Sequence, residues 1–266
     1  MNFIKRLIRF LIRKDILGTR LINLFNQGIF YDYVGGLIYQ LVDDHKIILH
    51  KIHHGLSNEN GIDMVKWLNQ EVYFKEYLPS GNDIYVDIGC GYGHELVYAT
   101  SRSSNIEVYG IEANPLIFQY CRANCQLKNI YLSNYMVSDE NEYLLPLDND
   151  YAGHGQNDSG ALSVNGISLT NFLDKNNIAR VDFLKLNIEG GELEITKNLP
   201  HERVKRVLIS CHDFRYLRGD GAFFKTYDEV LKLLNSYGYK IRNIEPNIIP
   251  SDAWSKSLPY WIYGEK

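Results

Sequence analysis

The chain has 266 residues, 45% of them hydrophobic and 23% charged, which is room for one α/β domain and an appendage in an ordinary soluble composition. A formal net charge of −4 argues against a surface built mainly to neutralise nucleic-acid phosphates. Its four cysteines, Cys90, Cys121, Cys125 and Cys211, form neither a zinc pattern nor a disulfide framework, so a reduced, cytoplasmic protein is expected.

The chain opens on Ile4, Leu7, Ile8, Leu11 and Ile12 at helical spacing, with Lys5, Arg6, Arg9 and Arg13 largely opposite. Basic residues interrupt the apolar run too often for a signal peptide or a membrane span, which needs about 20 apolar residues. Residues 1–26 read instead as a basic amphipathic helix. It would pack on the domain or a second subunit, or lie on the inner face of a membrane as a peripheral contact. Residues 1–79 are expected to be a mostly helical extension. Met64, Trp67, Leu68, Tyr73, Phe74 and Tyr77 recur at near-helical intervals before Pro79, whereas Leu37–Val42 and 46–51 read equally as strands around an Asp43-Asp44 turn.

From residue 80 the pattern becomes regular and marks a second unit, 80–266. Apolar runs at Ile84–Ile88, Glu107–Ile111, 130–134, 183–188 and 204–210 are expected strands. Helical patterns fall between them at 95–101, 116–126, 168–176 and Tyr227–Ser236. Short buried strands alternating with helices predict a doubly wound, mostly parallel α/β sheet. Runs at 239–244 and 260–263 follow without an obvious helix and predict a C-terminal antiparallel pair at the sheet edge. The Gly-, Asn- and Asp-rich stretch 145–164 is a candidate substrate loop. Twenty tyrosines are expected mainly as core filler with a polar tip, although their flat rings also suit sugar binding.

The run "IYVDIGCGYGHE" is a strand followed by Asp87, Gly89, Cys90, Gly91 and Gly93 and then a helix start. Glycines let the backbone approach a ligand, and the helix start offers free N–H groups. The dinucleotide spacing G-x-G-x-x-G would need glycine at 94, which is His94. A carboxylate inside the turn suits an ammonium better than a pyrophosphate. In "VYGIEANP", Glu112 follows the second strand and is placed to accept both ribose hydroxyls of an adenosine. Asp87 and Glu112 together describe a pocket for S-adenosylmethionine, with Asn114 and Asn134 as further candidates.

Taken together, "VDIGCGYGHELVYA", "GIEANP", "SNYMVSDENE", "ISLTNFLDKNNIARVDFLKLNIEGGELEITKNL" and "VLISCHDF" resemble the FkbM-type methyltransferases over roughly residues 80–215. The resemblance implies a class I, Rossmann-like methyltransferase fold and S-adenosylmethionine as cofactor. It further implies an O-methyltransferase acting on hydroxyls, often those of sugars in glycans, glycolipids or natural products.

Ligands of open α/β sheets bind at the carboxyl ends of the strands. Strands four and five end at Asn187-Ile188-Glu189 and Cys211-His212-Asp213, so Asn187, Glu189, His212 and Asp213 are the candidate catalytic set. His212 would serve as general base, oriented by Asp213 or Glu189. Alternatively Asn187, His212 and Asp213 would hold a divalent cation such as Mg²⁺, the less favoured device because the family pattern more often carries Asp at the position of Asn187. Glu192 and Glu194 read as solvated acids of a helix first turn, and His50, His53 and His54 as surface residues. The expected partner is a glycan or glycolipid acceptor, with no nucleic acid and with homo-oligomerisation left open. Methylation of RNA or protein, and a membrane-recruited binding module without turnover, are the competing readings.

Overall fold

The computed structural model describes residues 28–32, 36–51, 55–139, 142–146 and 161–266. The basic helix expected over residues 1–26, and His53 and His54, lie outside the described residues.

In the described part of the extension the strand reading of residues 37–42 and 46–51 holds, with helix following it. Strands β1 (Phe30–Asp32), β2 (Leu37–Val42) and β3 (His45–Leu49) form a three-stranded antiparallel sheet. Asp43, at φ 50, closes the turn that the Asp-Asp pair suggested. Helix α1 (Met64–Trp67) follows, capped by Asp63, and runs on as a π-helical turn over Leu68–Tyr73. The extension shares its core with the rest of the chain. Met64, Trp67 and Phe74 belong to the same buried cluster as Tyr85, Phe183 and Tyr263. The Asn124 side chain also ties β3 down, donating to the Ile48 carbonyl at 3.0 Å and accepting from its N–H at 2.8 Å.

The regular part alternates as its periodicity predicts. In chain order come β4 (Ile84–Ile88), α2 (His94–Arg102), β5 (Glu107–Ile111), α3 (Pro115–Asn124) and β6 (Ile130–Ser133). A side hairpin follows, with β7 (Met136–Val137), β8 (Glu142–Pro146) and β9 (Ala161–Ile167) forming a sheet in the order β7-β9-β8. Both ends of the expected loop 145–164 are therefore strand; residues 147–160 lie outside the described ones. After α4 (Leu169–Lys175) come β10 (Phe183–Leu186), α5 (Glu192–Lys197), β11 (Arg206–Ser210), α6 (Asp213–Arg218) and α7 (Tyr227–Ser236). The chain closes with β12 (Lys240–Asn243), α8 (Asp252–Ser257) and β13 (Trp261–Glu265), so a short helix does separate the last two strands.

The main sheet has the order β12-β13-β11-β10-β4-β5-β6. Strands β11, β10, β4, β5 and β6 are parallel, and β13 runs antiparallel to both β11 and β12. Period-two alternation sorts the side chains between two layers. Tyr85, Phe183, Leu208 and Tyr263 face the layer that includes the extension, while Val86, Leu184, Val207 and Ile262 face the other. Asp87 and Lys185 are cross-strand partners in this register and carry the same parity as Tyr85 and Phe183. Most tyrosines of the interior are filler: Tyr85, Tyr92 and Tyr263 are fully buried. Among the described residues no helix is long and apolar enough to cross a membrane.

Candidate active site

The glycine loop leaves β4 at the centre of the sheet. Gly89 sits at φ 79, and a Cβ there would strike the carbonyl oxygen of Asn187, which follows the neighbouring strand β10. Only glycine permits both the conformation and the approach. The N–H groups of Gly89 and Cys90 donate to the Ile111 carbonyl at 2.9 and 3.2 Å, which locks the loop to the end of β5. Gly93 has a packing task. It precedes α2 at φ 87, and a Cβ there would run into Cys125, the residue after α3. The Cys90 side chain also points inward, its thiol 3.8 Å from that of Cys121.

Glu112 is half-buried at the mouth of this loop. Its carboxylate accepts from the Gly91 N–H at 3.0 Å and from the Asn114 N–H at 2.8 Å, one bond per oxygen. Each oxygen keeps a lone pair for a further donor. Burial raises the Glu112 carboxyl above its ordinary range, against the two backbone donors. Asn114 uses its side-chain oxygen to cap α3 through the Leu116 and Ile117 N–H groups. Asn134 uses its side-chain N–H₂ to bind the Glu112 and Ala113 carbonyls at 2.7 and 2.9 Å. Both asparagines thus hold the loop around Glu112. Helix α2 has no side-chain cap, and the Nε2 of His94 at its first position is buried without a hydrogen-bond partner. Burial lowers the His94 pKa to about 4, so its imidazole is neutral. Uncapped N–H groups, a neutral imidazole and a carboxylate with lone pairs to spare fit a ligand carrying both a carboxylate and ribose hydroxyls.

Asp87 is placed differently from the expectation. It is completely buried, with one oxygen 2.8 Å from Lys185 Nζ and the other accepting from the Tyr85 hydroxyl at 2.8 Å. Its carboxylate thus has two internal partners, the Lys185 ammonium and the Tyr85 hydroxyl, below the cofactor loop. Lys185 is as deeply buried and lies 5.0 Å from the Tyr73 ring centre. A lysine inside the apolar run "FLKL" is the signal for this pair, because a buried ammonium needs a buried counter-charge.

Beyond β10 and β11 the chain builds a second cluster. His212 is 3% exposed and stands between two glutamates. Its Nδ1 lies 2.6 Å from Glu192 and its Nε2 3.3 Å from Glu189. Burial alone would lower its pKa, but the two carboxylates outweigh that and raise it to about 9. Glu189, held in the left-handed region at φ 56, bonds Arg215 at 2.7 Å. Burial acts to raise its pKa, yet His212 and Arg215 bring it down to about 2.

Glu192 corrects the reading of it as a solvated helix acid, since it is 0% exposed. It also accepts from the Gly190 N–H at 3.0 Å. Glu194 is exposed and accepts from Ser138 at 2.9 Å. Asp213 leaves the catalytic set. Its carboxylate accepts from the Thr226 and Tyr227 N–H groups at 3.0 and 2.9 Å and so caps α7. The set Asn187, His212 and Asp213 therefore does not converge as a ligand sphere, and among the described residues no cluster of His, Cys, Asp and Glu has that geometry.

Asn187, Glu189 and His212 line one wall of a cavity of about 400 Å³. The opposite walls come from the extension, through Glu59 and Tyr73, and from the C-terminal segment, through Trp254 and Trp261. The two segments are clamped together: Trp67 Nε1 donates to the Ile248 carbonyl at 2.8 Å, and the Asn247 N–H donates to Glu71 at 2.8 Å. The rings interlock as well, Trp254 on Trp67 at 5.1 Å and Trp261 on Tyr73 at 5.6 Å.

Strand order reverses direction beside β4, and an open sheet binds its ligand at such a switch point, outside the carboxyl ends of the strands. The glycine loop and Glu112 occupy that position, and together with the family match that follows they make the chain a Rossmann-like class I methyltransferase with S-adenosylmethionine as its cofactor. The sequence matches the Methyltransferase FkbM domain over residues 87–241, more than half of its 266 residues, and the chain belongs to that family. No curated protein matches it significantly. Among solved structures it is similar to fibrillarin of Aeropyrum pernix in complex with S-adenosyl-L-methionine, at 14% identity over 86% of this chain and 90% of that one, with a TM-score of 0.45. It is also similar to a SAM-dependent methyltransferase from Aquifex aeolicus, at 17% identity over 76% and 89% of the two chains, with a TM-score of 0.41. A third is precorrin-6y C5,15-methyltransferase from Geobacter metallireducens, at 12% identity over 76% and 85%, with a TM-score of 0.43.

Proposed function

We propose that this methyltransferase transfers its methyl group to a hydroxyl of a sugar in a glycan or glycolipid. The observation that carries the reading is the cavity beside His212, where Tyr73, Phe214, Trp254 and Trp261 supply flat apolar faces next to hydrogen-bonding groups. Sugars present apolar C–H faces and a rim of hydroxyls, and that combination of rings and polar atoms receives both.

When bound, S-adenosylmethionine supplies a methyl on a sulfonium, already activated for displacement. What remains for the chain is to align the acceptor oxygen and take its proton. Glu112 is assigned to the ribose hydroxyls, and the uncapped start of α2 with His94 to the carboxylate end of the cofactor. Glu192 fixes the His212 ring through Nδ1 and leaves Nε2 on the side of Glu189 and the cavity. In the resting protein that nitrogen is protonated and bonded to Glu189. Loss of this proton turns Nε2 into an acceptor for the sugar hydroxyl, while Arg215 retains Glu189.

Two outcomes follow. Glu112→Ala removes a net interaction about the size of one charge-assisted hydrogen bond, about 1.5–3 kcal/mol, so calorimetry should show S-adenosylhomocysteine affinity falling by roughly 10–100-fold. Trp254→Ala should raise the acceptor KM about tenfold with cofactor affinity unchanged, the size expected for one stacking contact of about 1–1.5 kcal/mol. The decisive experiment follows conversion of cofactor to S-adenosylhomocysteine against panels of glycosides, RNA and peptides. Turnover on RNA or peptides alone would overturn the sugar reading.

A further inference from the structure

The charges around the acceptor cavity name a class of sugar, an inference that rests on the sugar-hydroxyl reading above. The groups nearest His212 balance among themselves. Glu189, Glu192 and Asp220 face His212, Arg215 and Arg218, with contacts of 2.6 Å from Glu192 to His212, 2.7 Å from Glu189 to Arg215 and 2.9 Å from Asp220 to Arg215, and with Arg218 also on Asp220. With His212 protonated, three anions thus meet three cations, while Asp213 beside them is held by the Thr226 and Tyr227 N–H groups.

Glu59 is the exception. It lines the same cavity and is half-buried, and among the described residues its carboxylate makes neither an ion pair nor a hydrogen bond. Its backbone is fixed, not mobile by design: Glu59 and Ile62 exchange N–H···O bonds of 3.1 and 2.8 Å across a turn in which Asn60 and Gly61 take positive φ. The Asn60 side chain then donates to the Pro250 carbonyl of the C-terminal segment. No lysine or arginine lines the cavity among the described residues. Glu59 thus brings to the wall of an aromatic cavity a carboxylate with no partner among the described residues, and such a group suits a cation of the ligand.

We infer that Glu59 pairs with an ammonium group of the acceptor, so that the substrate is an amino sugar with a free amine rather than an N-acylated, uronic or phosphorylated one. The amine would sit at Glu59 while a ring hydroxyl of the same sugar faces His212. An anionic sugar would meet uncompensated like charge and be rejected.

The test measures kcat/KM for matched glycosides carrying an amine, a hydroxyl, an N-acetyl group or a carboxylate. The amine is expected to exceed the hydroxyl glycoside about tenfold, a margin that shrinks as salt rises. Glu59→Gln should bring that ratio towards one, and Glu59→Lys should shift preference to the carboxylate. Unchanged S-adenosylhomocysteine affinity in both variants would show that the fold is intact. Equal turnover of amine and hydroxyl glycosides, or a preference that survives Glu59→Gln, overturns the inference and leaves the sugar reading standing. Failure of every glycoside overturns both.

Discussion

Lys185→Met is expected to destabilise the fold by about 3–5 kcal/mol, the usual consequence of removing one partner from a buried ion pair. Lys185 is 1% exposed and Asp87 0%, and 2.8 Å separates their charges. Burial lifts the Asp87 carboxyl above its ordinary range, opposed by the Lys185 ammonium, so removal of the lysine leaves the penalty offset only by the Tyr85 hydroxyl. The pair also bridges the adjacent central strands β10 and β4, one residue before the end of each strand. A second variant separates charge from packing. Asp87→Asn combined with Lys185→Met should recover most of the loss, because the uncompensated charge is then gone and the volume is nearly kept. Urea unfolding of the wild type, both single variants and the double variant measures this. A single Lys185→Met variant within about 1 kcal/mol of wild type would show that the pair contributes nothing net.

His212→Ala should lower kcat by about 10²–10⁴-fold with little change in cofactor affinity, the range typical of a lost proton acceptor. Glu192→Gln should produce much of the same loss, since an amide cannot hold the ring in the same protonation pattern. The rate should rise with pH towards a midpoint near 9, because His212 must lose a proton before Nε2 can accept one. Glu189→Gln removes one of the two carboxylates that raise this pKa, so the midpoint should move down towards the ordinary imidazole range. A flat profile between pH 6 and 10 would rule out His212 as the base.

The same residue links stability to pH. Its folded pKa lies above its unfolded value of about 6.5, so its contribution is complete below that pH and disappears as the pH rises through about 9. The size is roughly 3 kcal/mol, shared with Glu189 and Glu192 as one network. Thermal melts of wild type and His212→Gln should therefore converge at alkaline pH. Activity and stability are expected to trend in opposite directions over this range, since the protonated ring that stabilises the cluster is the form that cannot accept a proton.

Much of the architecture was legible from periodicity. The alternation from residue 84 onward, the glycine loop and the acid after β5 are local patterns, and each appears where the spacing put it. The extension was harder. Leu37–Val42 is apolar at every position but Gln40 and shows no clean alternation, and the aromatic spacing after Met64 reads as helical, so local spacing does not say which pattern dominates. The short helix Asp252–Ser257 escaped because six residues give too little periodicity to read.

At the active site, Glu192 was missed because acids in a helix first turn are usually solvated, and only the tertiary structure shows this one buried against His212. Asp213 erred in the other direction: beside a histidine at a strand end it looked catalytic, but its oxygen caps α7. The sequence by itself determined the parallel sheet, the cofactor loop and the family, because strand periodicity, turn chemistry and motif spacing reside in neighbouring residues. Only the tertiary structure decided which acids contact His212, what Asp87 pairs with and which segments wall the cavity beside His212. Those depend on burial and on contacts between residues 20 apart for Glu192 and His212, 98 apart for Asp87 and Lys185, and 190 apart for Asn60 and Pro250.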